Sequence, residues 1–262
     1  MGPTERGTSS SRVPPAARHF DASADVYERS RPEYPPEMVV FLGNEFEFGP
    51  GVRVLDVGAG TGKLSRALHG TGVDLTAVEP LEGMREVFRR ELPDVPVIDG
   101  SAEELPCADA SFDLIVVGQA FHWFHAPSAL REMARVLRPR GGLALIWNTR
   151  DETTPWVKRF SELLEPYRTD TPGYRSGAWR AAFRGSAFTR LTHRTFRWVL
   201  LQDRDGVVDR ALSVSFIAGL PKAEKTQVAH RVRDLLDQDP LTRGRDRIAF
   251  PYTTDVYFSR KK

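Results

Sequence analysis

The apolar residues in the first part of the chain fall into short runs, and segments with helical spacing separate these runs. The runs have the length of strands and are rich in Val, Leu and Ile; they cover residues 52–57, 75–78, 95–98, 114–117 and 143–147. The intervening segments place apolar residues three and four positions apart, which predicts helices over 64–68, 84–92 and 130–137. Strands and helices that alternate at this pitch indicate parallel βαβ units with right-handed crossovers. The Pro and Gly residues of 138–142 are expected to end the last helix before the fifth strand.

Residues 151–262 follow a different pattern. Helical spacing predicts helices over 154–167, 177–183, 207–218 and 224–236. Alternating apolar and polar positions predict two long strands over 191–201 and 247–259. Since two strands alone do not form a stable sheet, we expect them to extend the first sheet within one domain.

Composition and charge narrow the class of protein. In 262 residues, 37 Lys and Arg stand against 35 Asp and Glu, a balance too even to indicate a nucleic-acid surface. Cys107 is the single cysteine, so neither a disulfide framework nor a cysteine-based metal site is expected. No apolar run approaches the roughly 18–20 residues of a membrane helix. The chain also begins without the apolar core of a signal peptide, so we expect a cytoplasmic protein without a membrane partner.

The stretch VLDVGAGTGKLSRAL, residues 54–68, places a glycine-rich turn between the first strand and the first helix. Such a turn directs backbone N–H groups at a ligand. The phosphate-binding pattern GxxxxGK[ST] fails here, because Val57 stands at its first glycine and Leu64 at its hydroxyl residue. The dinucleotide pattern GxGxxG is weak, because Lys63 occupies the third glycine position.

The remaining pattern, Asp56-x-Gly58-x-Gly60-x-Gly62 followed by Glu79, resembles the first two motifs of class I S-adenosylmethionine (SAM)-dependent methyltransferases. DGSAEELP (99–106) and SFDLIVVGQAFHWF (111–124) resemble later motifs of the type 11 methyltransferase domain. YERSRPEYP (27–35), QAFHWF (119–124) and IWN (146–148) resemble the trans-aconitate methyltransferase-like subset. The resemblance to this subset covers about the first 150 residues.

The resemblance implies an α/β fold: a Rossmann-like doubly wound sheet of about seven strands, the last antiparallel, with a helical lid or insertion. We therefore expect a disordered leader over 1–19, an N-terminal helical lid over 20–50 and a SAM-binding core over 51–150. A helical cap and the two final strands would follow over 151–262 in the same domain.

The resemblance also implies the positions of the cofactor. Glu79 would accept hydrogen bonds from the ribose hydroxyls, and residues 101–103 would meet the adenine, although many members carry Asp where this chain has Ser101. For Asp56, Glu79 and Met84 a role in capping, a strand end or the core stays open. The residues expected at the cofactor are Asp56, Gly58, Ala59, Gly60, Thr61, Gly62, Glu79, Pro80, Met84, Ser101, Ala102, Glu103 and Gln119.

The acceptor is expected beyond the carboxyl ends of the strands, where an open parallel sheet has its crevice. His122 is the candidate catalytic residue, either as a general base or as a hydrogen-bond partner of an acceptor oxygen. A packing role is the alternative for it and for its aromatic neighbours. The residues expected at the acceptor are Tyr27, Arg31, Tyr34, Phe121, Trp123 and Asn148. His125 is expected in a turn, and no metal site is expected.

A second group of basic residues follows Gly177. It comprises Arg180, Arg184, Arg190, Arg194 and Arg197. We interpret it as a solvated face, with an anionic substrate as the alternative.

The sequence thus predicts a SAM-dependent methyltransferase that releases S-adenosylhomocysteine. It would transfer the methyl group by direct in-line displacement to a small molecule, at a carboxylate or hydroxyl oxygen, and would act as a monomer or homodimer. Two alternatives stay open: an NAD(P)-dependent oxidoreductase of similar fold, and a SAM-binding protein without catalysis.

Overall fold

One sheet of seven strands organises the protein. The computed structural model describes residues 24–168 and 173–262, and within them the strand order is β3-β2-β1-β4-β5-β7-β6. The strands are β1 Arg53–Val57, β2 Asp74–Val78, β3 Val97–Ile98, β4 Phe112–Gly118, β5 Leu137–Arg150, β6 Thr192–Asp203 and β7 Arg247–Arg260. Strands β1 to β5 are parallel, and β7 lies antiparallel between β5 and β6. The predicted fold, with its last strand antiparallel, is confirmed; the predicted leader over 1–19 lies outside the described residues.

Helices cover both faces and the carboxyl edge of this sheet. They are α1 Ala24–Ser30, α2 Pro36–Glu45, α3 Lys63–Leu68, α4 Glu82–Glu91, α5 Ala126–Val136, α6 Pro155–Leu164, α7 Arg204–Leu212, α8 Ser215–Ala218 and α9 Lys222–Gln238. Short 3-10 turns cover Phe121–Trp123, Glu165–Tyr167, Tyr174–Ser176 and Ala178–Phe183. None of the helices within 24–168 and 173–262 has the length and apolar character needed to span a bilayer.

The segment 138–142 departs from its prediction. Strand β5 begins at Leu137, directly after α5 ends, so the Pro and Gly residues lie inside the strand rather than between helix and strand. The ladder to β4 shifts register here, and Leu114 pairs with Gly142. A side chain at Gly142 would collide with the ring of Phe46. Glycine is therefore present because the backbone and an aromatic side chain approach closely.

A separate apolar cluster lies in the cap, the helical unit formed by α6, α7, α8 and α9. Trp156 and Phe160 of α6 pack there against Phe250 and Tyr252, the first part of β7. The later part of β7 carries Val256 into the core of the sheet. Because one strand contributes to both clusters, the cap is attached to the carboxyl edge of the sheet.

Candidate functional site

The strand order reverses between β1 and β4, so the carboxyl ends of these two strands border a crevice. The glycine-rich turn follows β1, and its glycines face different surroundings. A Cβ at Gly62 would lie 2.8 Å from Cδ2 of Phe88, and one at Gly58 would lie 2.8 Å from Cβ of Ala120. A Cβ at Gly60 would meet no atom within 4 Å. Two of the glycines therefore permit close packing, whereas Gly60 leaves space for a ligand.

Glu79 lies at the end of β2 and is fixed against this turn. Its Oε2 accepts a hydrogen bond from the backbone N–H of Gly60 at 2.9 Å, and its Oε1 accepts one from Leu81 at 3.0 Å. The side chain is buried. A carboxylate held in this way is suited to accept hydrogen bonds from the vicinal hydroxyls of a ribose.

Three buried polar atoms near the turn indicate a polar ligand. Asp56 Oδ1, Thr61 Oγ1 and Ser101 Oγ have no hydrogen-bond partner in the described part of the chain. Leaving such an atom unpaired costs about 1–3 kcal/mol. Ser65 donates a hydrogen bond to the other oxygen of Asp56 at 2.8 Å, yet burial raises the pKa of Asp56 to about 7. These residues fit a cofactor that brings several polar groups into the crevice.

The other expected cofactor residues are placed less uniformly. Glu103 accepts a hydrogen bond from the backbone N–H of His125 at 2.8 Å, so its carboxylate binds the N-terminal end of α5. Any contact of Glu103 with the adenine would then be made by its backbone, and its place at the cofactor stays a prediction. Ala102 is buried in the core of the sheet. Met84 packs with Leu81 and Val87, so it belongs to the apolar cluster between α1 and α4.

Ala59 and Pro80 are half-buried next to the turn. Gln119 leaves β4 with φ at 60° and donates a hydrogen bond from Nε2 to the carbonyl oxygen of Asn148 at 3.0 Å. Its side chain thereby links the ends of β4 and β5.

The 3-10 turn after β4 separates the aromatic residues that the sequence grouped together. Phe121 is fully buried and packs against Trp179 and Phe183. Phe121 therefore has the packing role that the sequence left open as the alternative, and it does not line the cavity. His122 and Trp123 do line a cavity.

This cavity has a volume of about 620 Å³ and lies between the end of β5, the 3-10 turn and the cap. His122 lies on its wall, where the indole N–H of Trp147 donates a hydrogen bond to His122 Nδ1 at 3.2 Å. Burial lowers the pKa of His122 to about 4, and the charge of Arg31 contributes in the same direction. At neutral pH the imidazole is therefore uncharged.

Arginines dominate the wall of the cavity. They are Arg31, Arg150, Arg168, Arg175 and Arg210, and Glu165 is the acidic residue among the described lining residues. Arg168 pairs with Glu165 and Arg175 pairs with Glu152. The other three form no ion pair within residues 24–168 and 173–262.

Arg31, Arg150 and Arg210 have the features of an anion-binding site. In the described structure, Arg31 Nε, Arg150 Nη1 and Arg210 Nη1 are buried without a hydrogen-bond partner. Burial, with a further contribution from the charge of Arg210, lowers the pKa of Arg31 to about 10 and that of Arg150 to about 9. Three like charges that repel one another and lack counter-ions favour the binding of an anion.

The remaining expected acceptor residues hold the N-terminal lid, residues 24–35, against the sheet. Asn148 donates a hydrogen bond to the carbonyl oxygen of Glu33 and accepts one from Thr254, so both ends of its amide are occupied. Asn148 thus holds the lid, and its expected role in binding the acceptor stays a prediction. Tyr34 is buried in the core on the α2 face of the sheet, whereas Tyr27 lies under the guanidinium of Arg31 at the cavity.

The arginines after Gly177 do not line the cavity. Arg180 is exposed and donates a hydrogen bond to Tyr257, and the other four arginines of that group are exposed as well. Of the arginines that do line it, the sequence indicated Arg31 alone. The sequence weakly indicated Arg150, because it ends the same strand as Asn148. It did not indicate Arg210, which lies on a helix.

His125 directly precedes α5 and contacts Ser128. Within the described ranges, no group of His, Cys, Asp or Glu has the arrangement of a metal site.

Comparisons with known proteins agree with this geometry. The model of a methyltransferase domain family matches residues 55–145. An uncharacterised methyltransferase-like protein of Schizosaccharomyces pombe is 35% identical over 93% of this chain and 95% of its own length. This chain belongs to the family of class I SAM-dependent methyltransferases. An uncharacterised methyltransferase of Mycobacterium bovis is 36% identical over 90% of this chain and 92% of its own length.

The fold of this methyltransferase also occurs in solved structures. One assigned as a type II methyltransferase from Anaeromyxobacter dehalogenans has a TM-score of 0.67 and 21% identity, and the match covers 88% of this chain and 97% of that one. SAM is the cofactor of this family, and Gly60, Glu79 and the unpaired atoms of the crevice fit it. The trans-aconitate-like subset stays a prediction.

Proposed function

We propose that this methyltransferase transfers the methyl group of SAM to an oxygen atom of a small, negatively charged acceptor that binds in the arginine-lined cavity. The observation that carries this proposal is the set of unpaired guanidinium nitrogens of Arg31, Arg150 and Arg210. A neutral acceptor would leave these charges uncompensated, whereas a carboxylate accepts two parallel hydrogen bonds from one guanidinium.

The crevice and the cavity adjoin at the ends of β4 and β5. Gln119 and His122 line the cavity, and both follow β4, whose neighbour β1 leads into the glycine-rich turn. When bound, SAM supplies a methyl group on a sulfonium, which is already an activated leaving group. The chain then needs to hold the cofactor through Glu79 and the turn, and to align the acceptor oxygen with the methyl carbon.

Among the alternatives, an NAD(P)-dependent oxidoreductase is not favoured. Lys63 occupies the position where a dinucleotide-binding turn needs its third glycine, and its Nζ contacts Glu28 and Glu33 of the lid. A protein that binds SAM without catalysis stays an alternative, and the following experiment distinguishes it from a methyltransferase.

The test measures methyl transfer from radiolabelled SAM to a panel of small carboxylic and hydroxy acids and to their neutral amides. We expect the acids to accept the label and the amides to fail. The variant Arg150→Met should raise the KM for the acid by about 10–100-fold, because it removes the free energy of one charge-assisted hydrogen bond to the acceptor. Its affinity for SAM should not change. Arg197→Met, on the exposed surface of β6, is the matched control. Preferred transfer to the neutral amides, or an unchanged KM in Arg150→Met, would contradict the proposal. Bound SAM with no transfer to any acceptor would favour a protein that binds SAM without catalysis.

A further inference from the structure

We infer that Trp147 is a positioning residue that fixes His122 in one tautomer, so that His122 donates a hydrogen bond to the acceptor and does not remove a proton from it. The oxygen that receives the methyl group must then carry its negative charge before it binds. This inference rests on the proposed function and specifies the acceptor within it.

The tautomer follows from the chemistry of the two rings. An indole N–H can donate a hydrogen bond but cannot accept one. Trp147 Nε1 lies 3.2 Å from Nδ1 of His122 and donates to it, so Nδ1 carries a lone pair. A neutral imidazole has a single N–H, and here that proton is on Nε2.

The indole of Trp147 is held firmly in this orientation. Its side chain is 1% exposed, on the buried part of β5. The ring of Tyr174 stacks on it with centroids 4.5 Å apart, and the ring of Trp179 lies at 4.7 Å. The hydroxyl of Tyr174 in turn donates a hydrogen bond to Asp255 on β7 at 2.8 Å. Rotation of the indole would disrupt this stack, so the donor to His122 stays in place.

A positive charge on His122 is unfavourable in these surroundings. The charged groups on the cavity wall are the five arginines and Glu165, and Glu165 is already paired with Arg168. Burial and the nearby Arg31 keep the pKa of the imidazole low. Nε2 already carries a proton and cannot accept another. Protonation at Nδ1 would displace the N–H of Trp147 and leave a cation beside Arg31.

These constraints select the acceptor. When a carboxylate oxygen attacks the methyl carbon, the new C–O bond forms as the C–S bond breaks, and the electron pair goes to sulfur. No proton moves in this step. A neutral hydroxyl would have to release its proton as the bond forms, and the described cavity wall offers Glu165 as its carboxylate, which is exposed and bound to Arg168. The site is therefore suited to a carboxylate, with the Nε2–H of His122 donating to the oxygen that does not react.

Substitutions at residue 122 separate a donor from a base. The amide of His122→Gln places an N–H near the position of Nε2 but cannot act as a base at neutral pH. We expect His122→Gln to keep at least one third of the wild-type kcat with a carboxylic acid acceptor, and His122→Ala to lose about 10–100-fold. The profile of kcat against pH from 6 to 9 should have the same shape in the wild type and in His122→Gln. Equal losses in both variants, or an inflection in this range that His122→Gln removes, would overturn the inference.

The role of Trp147 is tested by nitrogen NMR of protein with 15N-labelled histidine, which reports the tautomer without any acceptor present. We expect the Nε2–H form for His122 in the wild type and a mixture of tautomers in Trp147→Phe, which should also lower kcat by about 3–10-fold. Trp156→Phe removes a buried indole from the apolar cluster of the cap, away from this stack and from His122, and should leave the tautomer and kcat as in the wild type. An Nδ1–H form in the wild type, or no change in Trp147→Phe, would overturn the inference. If neutral acceptors alone were methylated while the spectra matched expectation, the proposed function would fail and the tautomer would stand.

Discussion

The glycines of the turn after β1 show how residues of one motif take on separate tasks. Gly58 and Gly62 allow close approach to Ala120 and Phe88, whereas Gly60 faces open space and its N–H binds Glu79. The spacing of the motif could be predicted from the sequence, since it follows the family. The division of tasks could not, because it depends on which side chains from α4 and from the turn after β4 reach each glycine.

Alanine substitutions should separate these tasks. Both Gly60 and Gly62 have left-handed backbone, with φ at 58° and 91°, so alanine adds strain of about 1–2 kcal/mol at either position. Gly60→Ala should cost no more than this in the free energy of unfolding and weaken SAM binding by at least about 10-fold. Gly62→Ala should lower the free energy of unfolding by roughly 3 kcal/mol or more, because its Cβ meets Phe88. Chemical denaturation measures the free energy of unfolding of each variant, and titration with SAM measures its affinity for the cofactor. Wild-type SAM affinity in Gly60→Ala would contradict the role of Gly60 at the ligand.

At the scale of elements, the lid over the crevice is held by charge. Nζ of Lys63 lies 2.8 Å from Glu33 and 3.3 Å from Glu28, and Arg66 pairs with the same two carboxylates. Lys63 is buried, so its partners are needed to stabilise it. The same residue that fails the dinucleotide pattern therefore serves to fasten the lid. Its position in the pattern was visible in the sequence, whereas its partners 30 and 35 residues away were not.

Removing these carboxylates should loosen the lid alone. In the double variant Glu28→Gln with Glu33→Gln, we expect amide hydrogen exchange in residues 24–34 to accelerate by about 10–100-fold, since a buried lysine loses both partners. Exchange in the strands should not change. Asp25→Asn is the matched control, because the pair of Asp25 with Arg90 is exposed on both sides and should contribute little. Unchanged exchange in the double variant would show that the lid is held by other contacts.

At the scale of the whole molecule, a central buried carboxyl couples stability to pH. Burial is the main cause that raises the pKa of Asp56 from 3.8 to about 7, and the charge of Glu79 adds to it. At a pH well below the ordinary pKa of 3.8, the carboxyl is protonated in both the folded and the unfolded protein. As the pH rises towards 7, the unfolded chain releases this proton while the folded protein retains it, so this group lowers the free energy of unfolding across that window. Above about pH 7 the loss is complete.

Replacing this carboxyl should remove the dependence. Asp56→Asn can still accept a hydrogen bond from Ser65, and in the absence of cofactor it should be more stable than the wild type at pH 8 by roughly 2–4 kcal/mol. The difference should shrink as the pH falls to 5. Denaturation at a series of pH values measures it, with the exposed Asp94→Asn as control. A constant difference across the series would mean that Asp56 is charged in the folded protein throughout.

The sequence by itself determined the alternating strands and helices, the extension of the sheet by two late strands and the residues of the cofactor motifs. All of these depend on local periodicity or on short spacings along the chain. The tertiary structure decided what requires distant segments to meet: the hydrogen bond from Trp147 to His122, the arginines that β5 and α7 bring to one cavity, and the use of Asn148 to hold the lid. In the turn after β4, Phe121 points into the core, whereas the next residue, His122, lines the cavity. The sequence pattern does not predict which of two neighbouring side chains faces the cavity.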